Sequence, residues 1–429
     1  MKTFVISKQE NSRTPFLRGI LIRSLVEAGL SFEEAYELAS QIRDELADED
    51  EISSSQLHNR VSDLLGENFD KAIQADYESP LSAPSKIKVT SLSNATSAFS
   101  RGRYQRYLQS SGVPAEDAER ITLQLFNQLL ASEVSGLSTC QLGYLTYLCL
   151  QQELGKTAAR QYLVWSEFQR SERPLILLIC GAVGSGKSSI TTEMAHRLEI
   201  VRTQSTDMLR EVMRSMIPKK LLPVLHCSSF DAWQTLPVQD IQDRDKDLLI
   251  AEGYRSQADL LALACEAVML RAVRESASLI LEGVHAYPAL LQRLPEDSDA
   301  VFVHVTLAVM RSGDLKARLR GRGVEEPRRR AKRYLNKFDS IWRLQSFVIS
   351  EAERCDTAII PNEDMEAAIF QLISTINREL SRHFKGSPAD VFGPVAQRLK
   401  ERGRNKSWQQ VVALLSGEKN VSRQSPGKG

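Results

Sequence analysis

The chain has almost no net charge: 55 lysines and arginines stand against 54 aspartates and glutamates in 429 residues, a formal +1. That excludes a global field for wrapping DNA, so any polyanion must meet a local basic cluster. Cysteine is scarce and unpaired. Cys140, Cys149, Cys180, Cys227, Cys265 and Cys355 contain no CxxC pair and mostly sit in apolar runs. They read as reduced core side chains of a cytoplasmic protein, not as a disulfide frame or zinc site. Long apolar stretches are missing too. The longest, Leu175 to Val183, falls far short of the ~20 residues that span a bilayer. The start, "MKTFVISKQENSRTPF", lacks the apolar region of a secretory signal. These absences lead us to expect a cytoplasmic protein with no membrane partner. The length, by contrast, exceeds one small core and predicts several domains.

What is present begins with a repeat. "PFLRGILIRSLVEAGLSFEEA" (15–35) returns at a shift of 83 residues as "AFSRGRYQRYLQSSGVPAEDA" (98–118). Phe16, Arg18, Gly19, Arg23, Leu25, Gly29, Glu33 and Ala35 face Phe99, Arg101, Gly102, Arg106, Leu108, Gly112, Glu116 and Ala118. Slightly later, "ISSSQL" (52–57) faces "LSTCQL" (137–142). Each copy predicts a short β run ("TFVIS", "KIKVT"), an Arg-Gly turn and an amphipathic helix stopped by glycine. A second helix opens at Glu-Glu-Ala or Glu-Asp-Ala, and a third starts from a serine-rich cap.

This pattern resembles the ATP-cone, a small regulatory nucleotide-binding domain. The resemblance covers roughly 1–80 and, more weakly, 86–168, where "AARQYLVW" is similar to the usual end of a cone. It implies a regulatory nucleotide at the N-terminal cone. Cones carry a basic residue just after the first strand. Copy one offers Lys8 there and copy two, with "VTSLSNATSA", offers none, so a single working cone is expected. Arg18 and Arg101 either contact that nucleotide or are solvated at a helix start. "ESPLSAPSK" (78–86) reads as a linker and "QRSERP" (169–174) as a junction. The expected domains are therefore 1–80, 86–168 and 170–380, then a helical extension over 381–429 whose tail, "RQSPGKG", is disordered.

The next segment, "LILLICGAVGSGKSSITTEMAHRLEI" (175–200), is a buried strand, a glycine-rich loop and a helix. Gly181-Ala-Val-Gly184-Ser185-Gly186-Lys187-Ser188 fits G-x-x-x-x-G-K-[ST] at every defined position. Glycines let backbone N–H groups converge on phosphate oxygens, and the helix N-terminus adds partial positive charge. Lys187 is placed to reach the β- and γ-phosphates of ATP, Ser188 to ligate Mg²⁺, and Ser189 to line the cradle. The expected fold is α/β, a P-loop parallel sheet with flanking helices, preceded by two small mainly helical cone-like domains.

A cradle alone does not separate a kinase from a motor or a GTPase. "EIVRTQSTDMLREVMRSM" (199–216) runs a short strand into Asp207. Asp207 is read as orienting or deprotonating an acceptor hydroxyl, as holding Mg²⁺ through water, or as the N-cap of the next helix. Arg210, one turn on, suits an anionic substrate. "SASLILEGVHAYP" (276–288) is a buried strand that puts Glu282 at its C-terminal end, the second candidate Mg²⁺ carboxylate. "AVFVHVTL" (300–307) and "DTAII" (356–360) supply further strands. His304 alternates within its strand and reads as core or edge, and neither it nor His285 is expected to bind metal.

"RSGDLKARLRGRGVEEPRRRAKRY" (311–334) holds Arg311, Arg318, Arg320, Arg322, Arg328, Arg329, Arg330 and Arg333. It predicts a basic, glycine-broken lid that closes over the transferring phosphoryl group. Its middle lacks interleaved aromatics for stacking bases, which argues against nucleic acid as a partner.

Together "GAVGSGKSS", "STDMLREVMR", "HCSSFDAW" (226–233), "LILEGVHAYP" and "RYLNKFDSIWRLQSF" (333–347) resemble the 2-phosphoglycerate kinase family over roughly 170–375. The resemblance implies that ATP phosphorylates the 3-hydroxyl of 2-phosphoglycerate to give 2,3-diphosphoglycerate. Such an acceptor carries several negative charges and needs cations of its own. Arg210, Arg214, Lys219 and Lys220 follow the second strand, Ser228 and Ser229 offer hydroxyls, and Trp233 is either a pocket wall or a core aromatic. Other polyanions, such as inositol phosphates, stay open as substrates. A nucleotide sensor without metabolite turnover, and a homo-oligomeric assembly, stay open too.

Overall fold

Short strands and helices make up the described part of the first 88 residues. β1 (Phe4–Ser7) pairs antiparallel with β2 (Ser12–Pro15) and parallel with β3 (Glu51–Ser53), giving the order β2-β1-β3. Helices Arg18–Glu27, Phe32–Glu45 and Ser54–Asn68 complete the unit. Leu21 and Leu25, Leu38 and Ile42, and Val61 and Leu65 are each one helical turn apart and bury together. The computed structural model describes residues 3–7, 12–16, 18–27, 30, 32–46, 49–69, 74, 77, 87–132, 134–237, 245–293, 295, 298–325, 328–402 and 407–412. The chain falls into two compact units, Met1–Lys88 and Val89–Gly429. Lys8, Gly29, the 78–86 segment and the 423–429 tail lie outside the described residues.

The second unit begins with the same order of elements. β4 (Lys88–Thr90), β5 (Thr96–Ala98) and β6 (Gly136–Ser138) lie in the order β5-β4-β6, with helices Arg101–Ser110, Ala115–Ala131 and Thr139–Glu153. The third helix of each copy opens on the same capping box. Ser53 and Gln56 satisfy each other's backbone N–H groups, and so do Ser138 and Gln141. The shared strand order and the shared box support a duplication. Two details differ from the sequence reading. Each copy has a second hairpin strand, β2 or β5. Arg18-Gly19 and Arg101-Gly102 form the first turn of a helix, not a turn before it.

Within this unit helix Lys156–Arg170 joins the core of the large sheet through Val164, Trp165 and Phe168. That sheet has the order β11-β10-β7-β9-β8, where β7 is Leu175–Cys180, β8 Arg202–Ser205, β9 Leu279–Glu282, β10 Val301–Ala308 and β11 Ala358–Pro361. Each neighbouring pair is parallel. All six residues of β7 are buried, as both faces of a central parallel strand must be.

The period of two divides those side chains. Leu175, Leu177 and Ile179 pack with Ile190 and Met194 of helix Lys187–Arg197 and Ile369, Leu372 and Ile376 of helix Met365–His383. Ile176 and Leu178 pack with Ala262, Cys265 and Met269 of helix Lys246–Arg274. The chain leaves β7 toward β8 and β9 on one side, then crosses to β10 and β11 on the other. The C-terminal end of β7 is thus the switch point where ligands bind in open α/β sheets. Among the described residues no helix is long and apolar enough to cross a membrane.

Candidate active site

At the end of β7 the chain turns through Gly181, Gly184 and Gly186, all with positive φ, into helix Lys187–Arg197. Gly186 sits in the left-handed region at φ 86°, and a Cβ there would meet Asn362 Nδ2 at 2.3 Å. Only glycine fits both the turn and that close approach. Asn362 is buried at the end of β11 and donates from Nδ2 to the Ser185 carbonyl at 2.7 Å. Arg318 in turn donates to the Asn362 carbonyl.

Other helices at this end of the sheet have side-chain caps: Ser205, Asp245 and Asp364 each accept a first-turn N–H. The cradle helix has Gly186 at its cap and no side-chain acceptor. Its first amides thus have no side-chain acceptor at the cap, the arrangement that suits an anion. Ser185 Oγ is buried with no hydrogen-bond partner among the described residues, an orphan that a bound oxygen would satisfy. Lys187 Nζ donates to the Ala182 carbonyl at 2.9 Å, folded back over the loop. Ser189 is exposed in the first turn of the helix.

Two of the three expected metal residues come together. Ser188 Oγ donates to Glu282 Oε1 at 3.4 Å. β9 lies between β7 and β8, with Glu282 registered against Ile179 on one side and Ser205 on the other. Both groups are hard oxygen donors, the set that suits Mg²⁺. Asp207 follows two residues after Ser205 in helix Thr206–Met216, and its carboxylate is largely exposed.

The capping role open to Asp207 falls to Ser205, whose Oγ accepts from the Asp207 N–H at 3.2 Å. Asp207 lies in the first turn, where its charge favours the helix without making the cap bond. Arg210 faces it across one turn, with Nη2 3.6 Å from Asp207 Oδ1. Arg210 Nη1 donates to the Cys227 carbonyl at 2.7 Å, while its Nε is buried without a partner among the described residues.

The acceptor side is mixed. Ser228 Oγ accepts from Arg333 at 2.9 Å, so the "SSFDAW" stretch and the basic segment meet. Lys337 pairs with Asp231 at 2.9 Å beside them. Arg214 pairs with Glu211 at 2.7 Å on the surface. Lys219 and Lys220 are exposed, and Ser229 is buried. Trp233 packs against the core cluster of Phe230, Tyr254 and Ile341, close enough to helix Lys246–Arg274 that a Cβ on Gly253 would strike its backbone. It is the core aromatic of the two readings.

The basic segment is helical, Ser312–Glu325 and Arg328–Asn336. Gly321 and Gly323 do not break it as expected, because both continue the first helix. The side chains of 322–331 lie outside the described residues. Arg311 and Arg320 are exposed.

Sequence reading missed the residues beneath the site. His285 is fully buried. Its Nε2 lies 2.8 Å from Gln257 Oε1, and its Nδ1 lies 3.5 Å from Thr206 Oγ1. Desolvation pushes its pKa down to about 3, opposed by the nearby Asp207 carboxylate and assisted by Arg210 and Lys187. His304 is likewise core, hydrogen-bonded through Nε2 to the Ala286 carbonyl at 2.8 Å, its pKa lowered by burial to about 4.

A five-stranded parallel sheet with a G-x-x-x-x-G-K-S cradle at the end of its central strand defines an α/β protein of the P-loop kind. No family model matches the chain. It is 30% identical over 294 residues to a 2-phosphoglycerate kinase of Pyrococcus horikoshii, covering 68% of this chain and 94% of that protein. It is 33% identical over 283 residues to a 2-phosphoglycerate kinase of Methanopyrus kandleri, 66% of this chain and 84% of the relative. The 2-phosphoglycerate kinase of Pyrococcus furiosus is 32% identical over 294 residues, 68% and 94% of the two chains. The chain belongs to the 2-phosphoglycerate kinase family. It is a phosphotransferase, and a kinase of this family implies ATP as co-substrate.

Proposed function

We propose that this enzyme transfers the γ-phosphoryl group of ATP to the 3-hydroxyl of 2-phosphoglycerate, giving ADP and 2,3-diphosphoglycerate. One observation carries this reading: a single end of the sheet brings the Ser188–Glu282 contact, the Asp207–Arg210 pair and the cradle together. The cradle residues Gly181, Gly184, Ser185, Gly186, Lys187, Ser188 and Ser189 receive the phosphates. Ser188 and Glu282 would hold Mg²⁺ directly and Asp207 through water, and the ion would supply charge neutralisation for the transferring phosphoryl group.

Asp207 accepts the proton of the acceptor hydroxyl as its oxygen bonds to the γ-phosphorus. The bond from that phosphorus to the ADP oxygen breaks, and the proton passes on to solvent. Arg210 and Arg333 neutralise the acceptor's phosphate and carboxylate. Cations fixed by a backbone carbonyl and a serine hydroxyl lose little freedom when the anion arrives. The N-terminal cone-like copy binds a regulatory nucleotide, and the enzyme works in the cytoplasm with no nucleic-acid partner.

The reading is tested by steady-state turnover of Mg·ATP against a panel of phosphorylated acids and inositol phosphates. The expected result is the highest kcat/KM with 2-phosphoglycerate. Preference for an inositol phosphate would reassign the acceptor, and no acceptor-dependent ADP release would refute the kinase reading.

A further inference from the structure

We propose that Thr206, His285 and Gln257 form a buried positioning network that aims Asp207 and Arg210 at the acceptor; this rests on the phosphotransfer reading above. The three residues come from separate elements: the start of helix Thr206–Met216, the loop after β9, and the middle of helix Lys246–Arg274. All three are fully buried.

Their hydrogen-bond roles follow by elimination. Gln257 Nε2 donates to the carbonyls of Val224 and Cys227, which can only accept, so its amide orientation is fixed. Gln257 Oε1 must then accept from His285 Nε2–H at 2.8 Å. That leaves His285 Nδ1 bare, and the Thr206 hydroxyl donates to it. Burial keeps the ring neutral, so the tautomer is stable. His285 also stacks on Tyr254, with ring centroids 6.1 Å apart and 10° between planes, and the Tyr254 hydroxyl donates to the Val284 carbonyl.

The chain of contacts closes on the acceptor residues. Cys227 O, reached by Gln257, also receives Arg210 Nη1, and Arg210 faces Asp207. Thr206 is the residue just before Asp207. Gly283, beside Glu282, lacks the Cβ that would lie 1.8 Å from Thr206 Oγ1, so the backbone is cut back to admit this hydroxyl. Apolar side chains would fill the space at lower desolvation cost. A polar network fixes instead the rotation of the helix start, and with it the direction of Asp207 and Arg210. These are positioning residues, since none of the three is placed against substrate.

The test uses the full chain. Wild-type turnover of 2-phosphoglycerate is measured first and judges the acceptor assignment alone. Variants are then assayed on whichever phosphorylated acid the wild type uses. Thr206→Val keeps shape and removes the hydroxyl; it should lower kcat/KM for the acceptor about 10- to 100-fold, with KM for ATP changed by less than about twofold. Thr206→Ser should restore activity to within about threefold of wild type. Unchanged acceptor kinetics in Thr206→Val overturn the proposal. So does an equal loss toward ATP and acceptor that serine does not rescue.

Asp207→Asn serves as the separate control. Full turnover there removes the site reading itself, whereas loss there with a normal Thr206→Val refutes the network only. Nitrogen NMR of histidine-labelled wild type gives a readout that needs no variant to fold. His285 protonated at Nε2 and bare at Nδ1 is expected at neutral pH, and the opposite tautomer or an imidazolium contradicts the assignment.

Discussion

Lys187 is the residue on which phosphoryl transfer should depend most. Its ammonium group is held at the cradle by the Ala182 carbonyl, in reach of the phosphates it would stabilise as charge develops between ADP and acceptor. Lys187→Ala should lower kcat by at least ~10³-fold. The fold should survive, because the glycine turn and the buried strand before it are untouched; circular dichroism and thermal unfolding check that. Near-normal turnover in the folded variant would contradict the assignment. Asp207 gives a sharper separation of roles. Ser205 makes the cap bond, so Asp207→Asn should shift melting little while turnover falls about 10²-fold or more. A loss of stability with normal turnover in the remaining folded enzyme would mean that the carboxylate serves the helix and not the reaction.

Elements show how far local sequence reaches. The cradle, β7 and the helix after it were legible because strand, loop and helix are contiguous and their spacing is chemical. Glu282 was legible as a charge ending a buried strand. Long-range partners were not. Nothing in the neighbourhood of Gln257 or Asn362 signals that one will meet His285 and the other Ser185, since these contacts arise only when a distant helix and the segments that follow the strands pack together.

The capping alternative left open for Asp207 goes to Ser205, because both residue types cap well and only the backbone geometry decides which of two neighbours makes the bond. The glycines at 321 and 323 misled for the opposite reason: a helix rich in arginine tolerates a residue that costs it about 1 kcal/mol. The repeat offers an element-level test. Ser53 and Ser138 open matching helices with the same box. Replacing either with alanine should cost about 1 kcal/mol of helix stability, read as faster amide exchange in the first turn of that helix. A loss at one copy and none at the other would mean that the two boxes do different work.

At the scale of the whole molecule the chain carries two copies of a three-stranded, helix-packed motif ahead of the five-stranded sheet in sequence. Arg18 donates to Ser40 at 3.2 Å and lies over the Tyr36 ring, 4.4 Å from its centroid, whereas Arg101 is exposed over Phe126. If only the first copy binds effector, calorimetric titration of the full chain with a non-hydrolysable ATP analogue should give about two sites, one in the cradle and one in the cone. Arg18→Ala should remove one site and Arg101→Ala none, with coupling to catalysis of ~1–3 kcal/mol. One site in the wild type would contradict nucleotide regulation through the cone.

The central claim, transfer to the 3-hydroxyl of 2-phosphoglycerate, is tested most directly by phosphorus NMR of the wild-type reaction with Mg·ATP. The account predicts that the 2-phosphoglycerate resonance is replaced by the two resonances of 2,3-diphosphoglycerate as ADP forms, and that Lys187→Ala leaves the spectrum unchanged. ADP appearing with free phosphate, and the 2-phosphoglycerate signal intact, would contradict it.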